Sequence, residues 1–317
     1  MIEKLIDLES VDPAAFLGVK NYNLEIIKNR FPKIKIVARG NLLKAIGDAE
    51  EVALFEEKMN LLLEHFNEFN VLSESDVENI VSGSEVSKRK KASDTILFGI
   101  NGKPIKARTK NQKRLVEAYE KNDLLFAVGP AGTGKTYTAI ALAVRALKAR
   151  QVRRIILSRP AVEAGEKLGF LPGDMKEKID PYLQPLYDAL QDMIHGAKLK
   201  DYLENGTIQI APLAYMRGRT HNNAFVILDE AQNTTSNQLK MFLTRMGADA
   251  KFVVTGDITQ IDLPKAQNSG LIHAMKILTD IKGIEHIEFD VNDIVRHKLV
   301  QDIVEAYDKK GRAKAGF

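Results

Sequence analysis

The chain predicts an α/β domain, a mainly parallel sheet held between helices, preceded by a small α+β unit. Three observations carry this prediction. Apolar runs at Leu124–Val128, Arg154–Leu157, Ile208–Ala211, Ala224–Leu228 and Phe252–Thr255 read as strands separated by helical or irregular stretches, the alternation that gives a parallel sheet. Gly129-Pro130-Ala131-Gly132-Thr133-Gly134-Lys135-Thr136 sits between the first of these runs and a helix-like stretch reaching towards Lys148. The first 81 residues follow another rhythm, a short helix, two strands and a long amphipathic helix.

Composition bounds the chemistry. The 317 residues hold 44% hydrophobic and 28% charged side chains, an ordinary globular balance with room for two domains. No cysteine is present, which excludes disulfides, thiolate metal sites and a cysteine nucleophile. Six scattered histidines make a metal cluster unexpected. The N-terminus Met1-Ile2-Glu3-Lys4 is unlike a secretory signal, and no run is apolar enough to span a membrane, so a cytoplasmic location is expected. The net charge of +4 is unevenly spread. Residues 1–87 carry nine basic against sixteen acidic side chains, and the remainder 37 against 26. A basic second part suits a polyanionic partner such as nucleic acid, and equally suits nucleotide phosphates or a solvated surface.

In the first unit, Asn23–Arg30 reads as a helix and Ile34, Ile36 and Ala38 alternate as a half-buried strand. Arg39-Gly40-Asn41 turns into a second strand at Leu42–Ile46. Val52, Phe55, Met59, Leu62, Phe66 and Phe69 recur at three- and four-residue intervals, which predicts a helix from Ala49 to Phe69. This order fits a small KH-like RNA-binding domain over residues 1–81. The Gly-x-x-Gly clamp of that fold is missing, because Gly40 and Gly47 stand too far apart, and an acidic docking domain fits as well. Residues 82–94 read as a basic linker containing Lys88-Arg89-Lys90-Lys91. Residues 95–308 form the nucleotide domain, and 309–317 a flexible tail.

The nucleotide domain opens with a hairpin, Thr95–Ile100 and Ile105–Ala107, turned by Asn101-Gly102. A helix follows on which Leu115, Val116 and Tyr119 share a face. Gln112 lies 17 residues before Gly129; in isolation it reads as a surface glutamine, and in this place it resembles the adenine-reading glutamine of helicases, whose amide both donates to and accepts from the adenine edge. Gly129–Thr136 matches the phosphate-binding pattern of Gly, four residues, then Gly-Lys-Ser/Thr, and stands in the required strand–loop–helix setting. Its glycines let backbone N–H groups curl round phosphates at a helix N-terminus. Lys135 is placed for the β- and γ-phosphates and Thr136 for Mg²⁺. Ala224–Leu228, apolar without alternation, is a strand buried on both faces and runs into Asp229-Glu230. Asp229 is expected to hold Mg²⁺ through water, and Glu230 to polarise the attacking water. At the end of Phe252–Thr255, Gln260, with Asp257 second, is the candidate sensor of the γ-phosphate. Ala161–Pro185 holds Gly165, Gly169, Pro172, Gly173, Pro181 and Pro185 and reads as an irregular lid or polynucleotide-contacting loop. Ile284–Phe289 is a last strand, and Val295–Tyr307 a helix begun by Arg296-His297.

Together Gly129–Thr136, the strings Ser158–Glu166, Pro212–Thr220, Phe225–Thr235 and Thr255–Gln260, and Asp262-Leu263-Pro264 resemble the PhoH-like family of ATPases over residues 95–308. The family is similar to the N-terminal motor domain of superfamily 1 helicases, a RecA-like P-loop fold. The resemblance implies ATP hydrolysis with Mg²⁺, RNA handling or unwinding, and an RNA-processing protein partner. It implies Gln112 on adenine, Gly129–Thr136 on phosphates, Asp229 and Glu230 as the acidic motif and Gln260 as the third motif. Such helicases complete the site with a second motor domain and its arginine finger, for which the residues after Val128 leave no room. The arginine is then expected from the same domain or from a neighbouring subunit of a ring-like homo-oligomer. Arg296 leads the candidates, ahead of Arg217, Arg219 and Arg245. A nucleotide-dependent switch or scaffold with slow hydrolysis is the alternative. A small-molecule kinase fits poorly beside the Asp229-Glu230 pair.

Overall fold

A computed structural model describes residues 1–8, 11–84, 94–160, 175–264, 267–295 and 299–300. The first unit runs β1 (Ile2–Asp7), α1 (Pro13–Leu17), α2 (Tyr22–Arg30), β2 (Lys35–Arg39), β3 (Leu42–Gly47), α3 (Ala49–Phe69) and α4 (Glu74–Ser82). Its antiparallel sheet has the order β1-β3-β2. The expected helix α3 buries the predicted stripe, with Phe55, Met59 and Leu62 fully enclosed. Three elements of this unit, β1, α1 and α4, escaped the sequence reading. Within β1 only Ile6 is buried, so there is no alternation to read, and pairing with β3 makes the strand. Helix α4 carries the Ser73–Asp76 capping box and a short buried stripe of Val77, Ile80 and Val81.

The larger unit continues with β4 (Thr95–Phe98), β5 (Pro104–Lys106), α5 (Lys110–Lys121), β6 (Leu124–Val128), α6 (Lys135–Lys148), β7 (Arg154–Arg159), α7 (Met175–Gln191) and α8 (Gly196–Glu204). Then come β8 (Ile208–Pro212), β9 (Ala224–Leu228), α9 (Ser236–Leu243), β10 (Lys251–Gly256), α10 (Gly270–Ile277) and β11 (Ile284–Glu288). The hairpin β4–β5 is antiparallel. The other six strands form one parallel sheet in the order β11-β6-β10-β9-β7-β8. With the phosphate-loop sequence after β6, this parallel sheet between helices is a P-loop α/β core. All five residues of β6 and all five of β9 are buried, as strands covered on both faces must be. Helix α6 is buried along Thr138–Val144, and its small alanines let it sit centrally on the sheet beneath the hairpin. The chain passes from β6 to β7 across β10 and β9, so a crevice opens at the carboxyl ends of these strands.

One expectation changes here. Of the stretch read as irregular, residues 161–174 lie outside the described residues, but Met175 onward is helical through Pro181 and Pro185. Leu183, Leu186 and Leu190 recur at helical spacing and are buried. That stripe holds the helix across two prolines, because Pro185 faces outward. The basic linker is described only at its ends, and the flexible tail lies outside the described residues.

The two units meet along the segment after α7. Asn70, left-handed at φ 56° where α3 ends, donates from Nδ2 to the Met193 carbonyl at 3.1 Å. Phe66 stacks on His195 and Phe69 packs on Phe98. Lys148, the last residue of α6, closes this junction in a crevice of about 30 Å³ with Phe66, Asn70 and His195. Its Nζ is buried without a hydrogen-bond partner among the described residues, and burial lowers its pKa to about 8. The charged form is therefore disfavoured in the fold. Lys148→Met is expected to raise the melting temperature at pH 7, where lysine is charged in both states. The gain should shrink as pH rises from about 8 towards the unfolded value of 10.5, as thermal unfolding across that range will report.

Candidate functional site

The loop between β6 and α6 is shaped by residues that only glycine can replace. Gly129 has φ +154°, and a Cβ there would lie 2.2 Å from the Phe289 carbonyl oxygen. Gly134 opens α6 at φ +77°, and a Cβ there would lie 2.8 Å from Gln112 Nε2. The loop is then held on several sides. Gly129 N donates to the Gly256 carbonyl at 3.1 Å, and Val295 N to the Gly132 carbonyl at 3.0 Å. Ala131 N donates to Asp257 Oδ2 at 2.9 Å, and Gln112 Nε2 to the Thr133 carbonyl at 2.9 Å. Thr133 Oγ1 donates to the Pro130 carbonyl at 2.9 Å. Lys135 Nζ donates to the Gly129 and Pro130 carbonyls, each at 2.7 Å. A phosphate would take this ammonium from two neutral carbonyls, an exchange that favours the charged acceptor.

Asp229 ends β9 and is 2% exposed. Its Oδ1 accepts from Thr136 Oγ1 and from Thr255 Oγ1, both at 2.6 Å. Its Oδ2 accepts from Arg159 Nε at 2.7 Å and Nη2 at 2.6 Å. Glu230 follows in the left-handed region, φ +55°, a costly conformation for a residue with a side chain. Its carboxylate is received by Gln232 Nε2 at 2.6 Å and stands 3.6 Å from Arg159 Nη2. Gln232 in turn accepts from Asp257 N at 3.0 Å. Lys135, Thr136, Arg159, Asp229, Glu230 and Gln260 line one cavity of about 300 Å³. Thr136 and Asp229 present hard oxygens in contact, a donor set that fits Mg²⁺.

A second cavity, about 480 Å³, lies against the same loop and is lined by Ile100, Pro104, Arg108, Gln112, Tyr137 and Val295. It is open and partly apolar, as a base and ribose require. The Tyr137 hydroxyl donates to Asp192 Oδ2 at 3.2 Å, and burial first, Asp192 second, push its pKa up to about 12. Gln112 Oε1 already accepts from Arg108 N at 2.7 Å and Thr109 N at 3.4 Å, capping α5. One amide hydrogen remains for a base, and no free acceptor. A larger cavity of about 830 Å³ between the two units is lined by Asp7, Arg150, Lys198, Asp201 and Glu204. Its lining carries charges of both signs.

Of the predicted site residues, the structure brings Gly129–Thr136, Asp229, Glu230 and Gln260 together and sets Gln112 behind the loop. Arg296 lies outside the described residues. Arg219 donates to Gln209 Oε1 near the amino end of β8, and Arg245 to the Met241 carbonyl at the end of α9. Two roles were missed. Arg159, within Ser158–Glu166, has no task in the sequence reading, although a strand end is where such a residue meets the site. Asp257, second choice as sensor, lines the same cavity as Gln260 and also holds the loop at Ala131 and the Thr259 hydroxyl. Burial works against the charge on Asp293, yet hydrogen bonds from Thr109, Asn111 and nearby backbone hold its carboxyl below the usual range. Asn111 Nδ2 donates to it at 2.7 Å, which fixes the turn that carries Val295 onto the loop.

Comparison with known proteins adds a lineage. The model of the PhoH-like protein family matches residues 104–308. A "PhoH-like protein" of Bacillus subtilis is 49% identical over 281 residues, 87% of this chain and 88% of that one. Its counterpart in Mycobacterium tuberculosis is 47% identical over 319 residues, 100% of this chain and 90% of that one. The Sulfolobus solfataricus SWI2/SNF2 ATPase core is a solved structure at 15% identity, covering 60% of this chain and 47% of its own, with a TM-score of 0.36.

Gln112→Ala tests the arrangement behind the loop. Losing both the cap and the bond to Thr133 is expected to weaken ATP and GTP binding alike, by about tenfold. A loss confined to ATP, measured by titration calorimetry, would instead make Gln112 a reader of adenine.

Proposed function

This chain belongs to the PhoH-like protein family, and from that premise we propose that it is a Mg²⁺-dependent ATP hydrolase acting on RNA. Glu230 is the observation that carries the hydrolytic part. A carboxylate held beyond the metal-binding aspartate, on a strained backbone and in the same cavity as Lys135 and Thr136, suits a base for water. In this reading the amides of Gly129–Gly134 and Lys135 bind the β- and γ-phosphates, and Thr136 and Asp229 hold Mg²⁺. The metal, when bound, neutralises charge on the phosphates. Glu230 takes the proton of the attacking water, and Gln260 faces the γ-phosphate. Adenine lies in the second cavity beside Gln112 and Tyr137.

The RNA part has its own support. Tyr215 is 59% exposed beside the exposed Arg217 and Arg219. Burial first, then Arg219, Arg154 and Arg245, lower the pKa of His221, so three arginine charges act at this place. Arginines for phosphates and a ring for stacking suit single-stranded RNA. The small α+β unit, KH-like in our reading, would add a second contact. Ile277, Ile281 and Val291 are well exposed and offer apolar surface for a homo-oligomer or a protein partner.

Glu230→Gln is expected to leave ATP affinity unchanged and to lower turnover by about 10²- to 10⁴-fold. Unchanged turnover would remove Glu230 from the role of base. Single-stranded RNA is expected to stimulate wild-type turnover and to bind with a steep salt dependence. An ATPase indifferent to RNA at every salt concentration would remove the RNA part alone.

A further inference from the structure

ATPases of this class place an arginine on the transferred phosphoryl group, and the sequence offered its candidates in other places. Arg159 lies at the carboxyl end of β7, beside the end of β9, where Ser158 pairs with Leu228 and Asp229 N donates to the Ser158 carbonyl. Arg159 lines the cavity of Lys135, Thr136 and Glu230. Two of its nitrogens rest on one oxygen of Asp229, Nη2 leans towards Glu230 at 3.6 Å, and Nη1 donates to the Tyr182 carbonyl of α7 at 2.7 Å.

This grip on Asp229 is exchangeable. Asp229 keeps Thr136 and Thr255 on its other oxygen, so its position does not depend on the arginine alone. A triphosphate entering the cavity brings several negative charges, and its oxygens compete for a fork built to hold paired oxygens. The contact with Tyr182 keeps the guanidinium at the cavity wall during that exchange.

We propose that Arg159 is the arginine that stabilises the transferred γ-phosphoryl group, and that it does so within its own chain. The inference rests on the ATPase reading above. As the water oxygen bonds to the γ-phosphorus, the bond to the β–γ bridging oxygen breaks, the proton passes to Glu230 and ADP leaves with the electron pair. Negative charge shifts onto the bridging and equatorial oxygens, and Arg159 meets it from the side of β7.

The test uses the full chain. Arg159→Ala is expected to bind ADP as the wild type does, while ATP turnover and the affinity for ADP with aluminium fluoride both fall by about 10³-fold. Should that variant fail to fold, Arg159→Lys keeps the charge without the fork and is expected to show the same selective loss, about 10²-fold. Equal losses for ADP and for ADP with aluminium fluoride would make Arg159 a support of the site and overturn the proposal. Mixing Arg159→Ala with Glu230→Gln chains decides between cis and trans. The mixture is expected to stay inactive, and recovered turnover would show an arginine crossing between subunits. A wild type that neither hydrolyses ATP nor binds the fluoride complex would overturn the ATPase reading together with this one. A wild type that does both, matched by Arg159→Ala, would overturn this one alone.

Discussion

The buried carboxylate of Asp229 is the constraint on which the rest of this site depends. A charge with 2% exposure is tolerated only where donors satisfy it, and here four donor atoms do so. They come from α6, β10 and β7. One ionised group therefore ties the helix behind the phosphate loop to the tips of three neighbouring strands. The parallel sheet order makes this possible, because β9 lies between β10 and β7 and all three end at the same edge. Removing the carboxylate would leave Arg159 facing a cavity without its principal acceptor, and would separate Thr136 from the sheet.

Around that centre the supports of the phosphate loop come from distant parts of the chain. Asp257 follows β10, Gln112 opens α5 and Val295 follows β11. Each contributes one hydrogen bond, worth about 1 kcal/mol by itself. Their joint effect is to pre-form a loop whose glycines would otherwise sample many conformations. Asp293 extends the same design by fixing the turn before Val295. The junction after α7 joins this assembly to the small unit, with Asp192 bonded to Tyr137 and Ile100 on one side and Met193 bonded to Asn70 on the other.

Much of this was legible in the sequence because the signals are local. The loop pattern, the apolar run into Asp229-Glu230 and the stripe of α3 each lie within one element, and each gave the right element in the right place. Long-range pairing was not legible. Strand β1 has one buried side chain and is made by its neighbour. Helix α7 passes through two prolines because its leucine stripe is buried on the rest of the domain, a tertiary effect that overrides the local rule. Arg159 belongs to the same class. Its position in sequence says strand end, and only the strand order sets that end beside Asp229. Gln112 shows the reverse, a residue read for a ligand whose amide also serves its own helix and the loop.

In our proposal one chain holds its whole hydrolytic site, with Arg159 already beside Asp229 and Glu230. A crystal structure of the full chain with Mg²⁺, ADP and aluminium fluoride tests it most directly. The Arg159 guanidinium is then expected within hydrogen-bond distance of the fluoride ligands of its own chain, with Glu230 facing the attacking water. Arg159 still seated on Asp229, while an arginine of a neighbouring copy touches the fluorides, would contradict it.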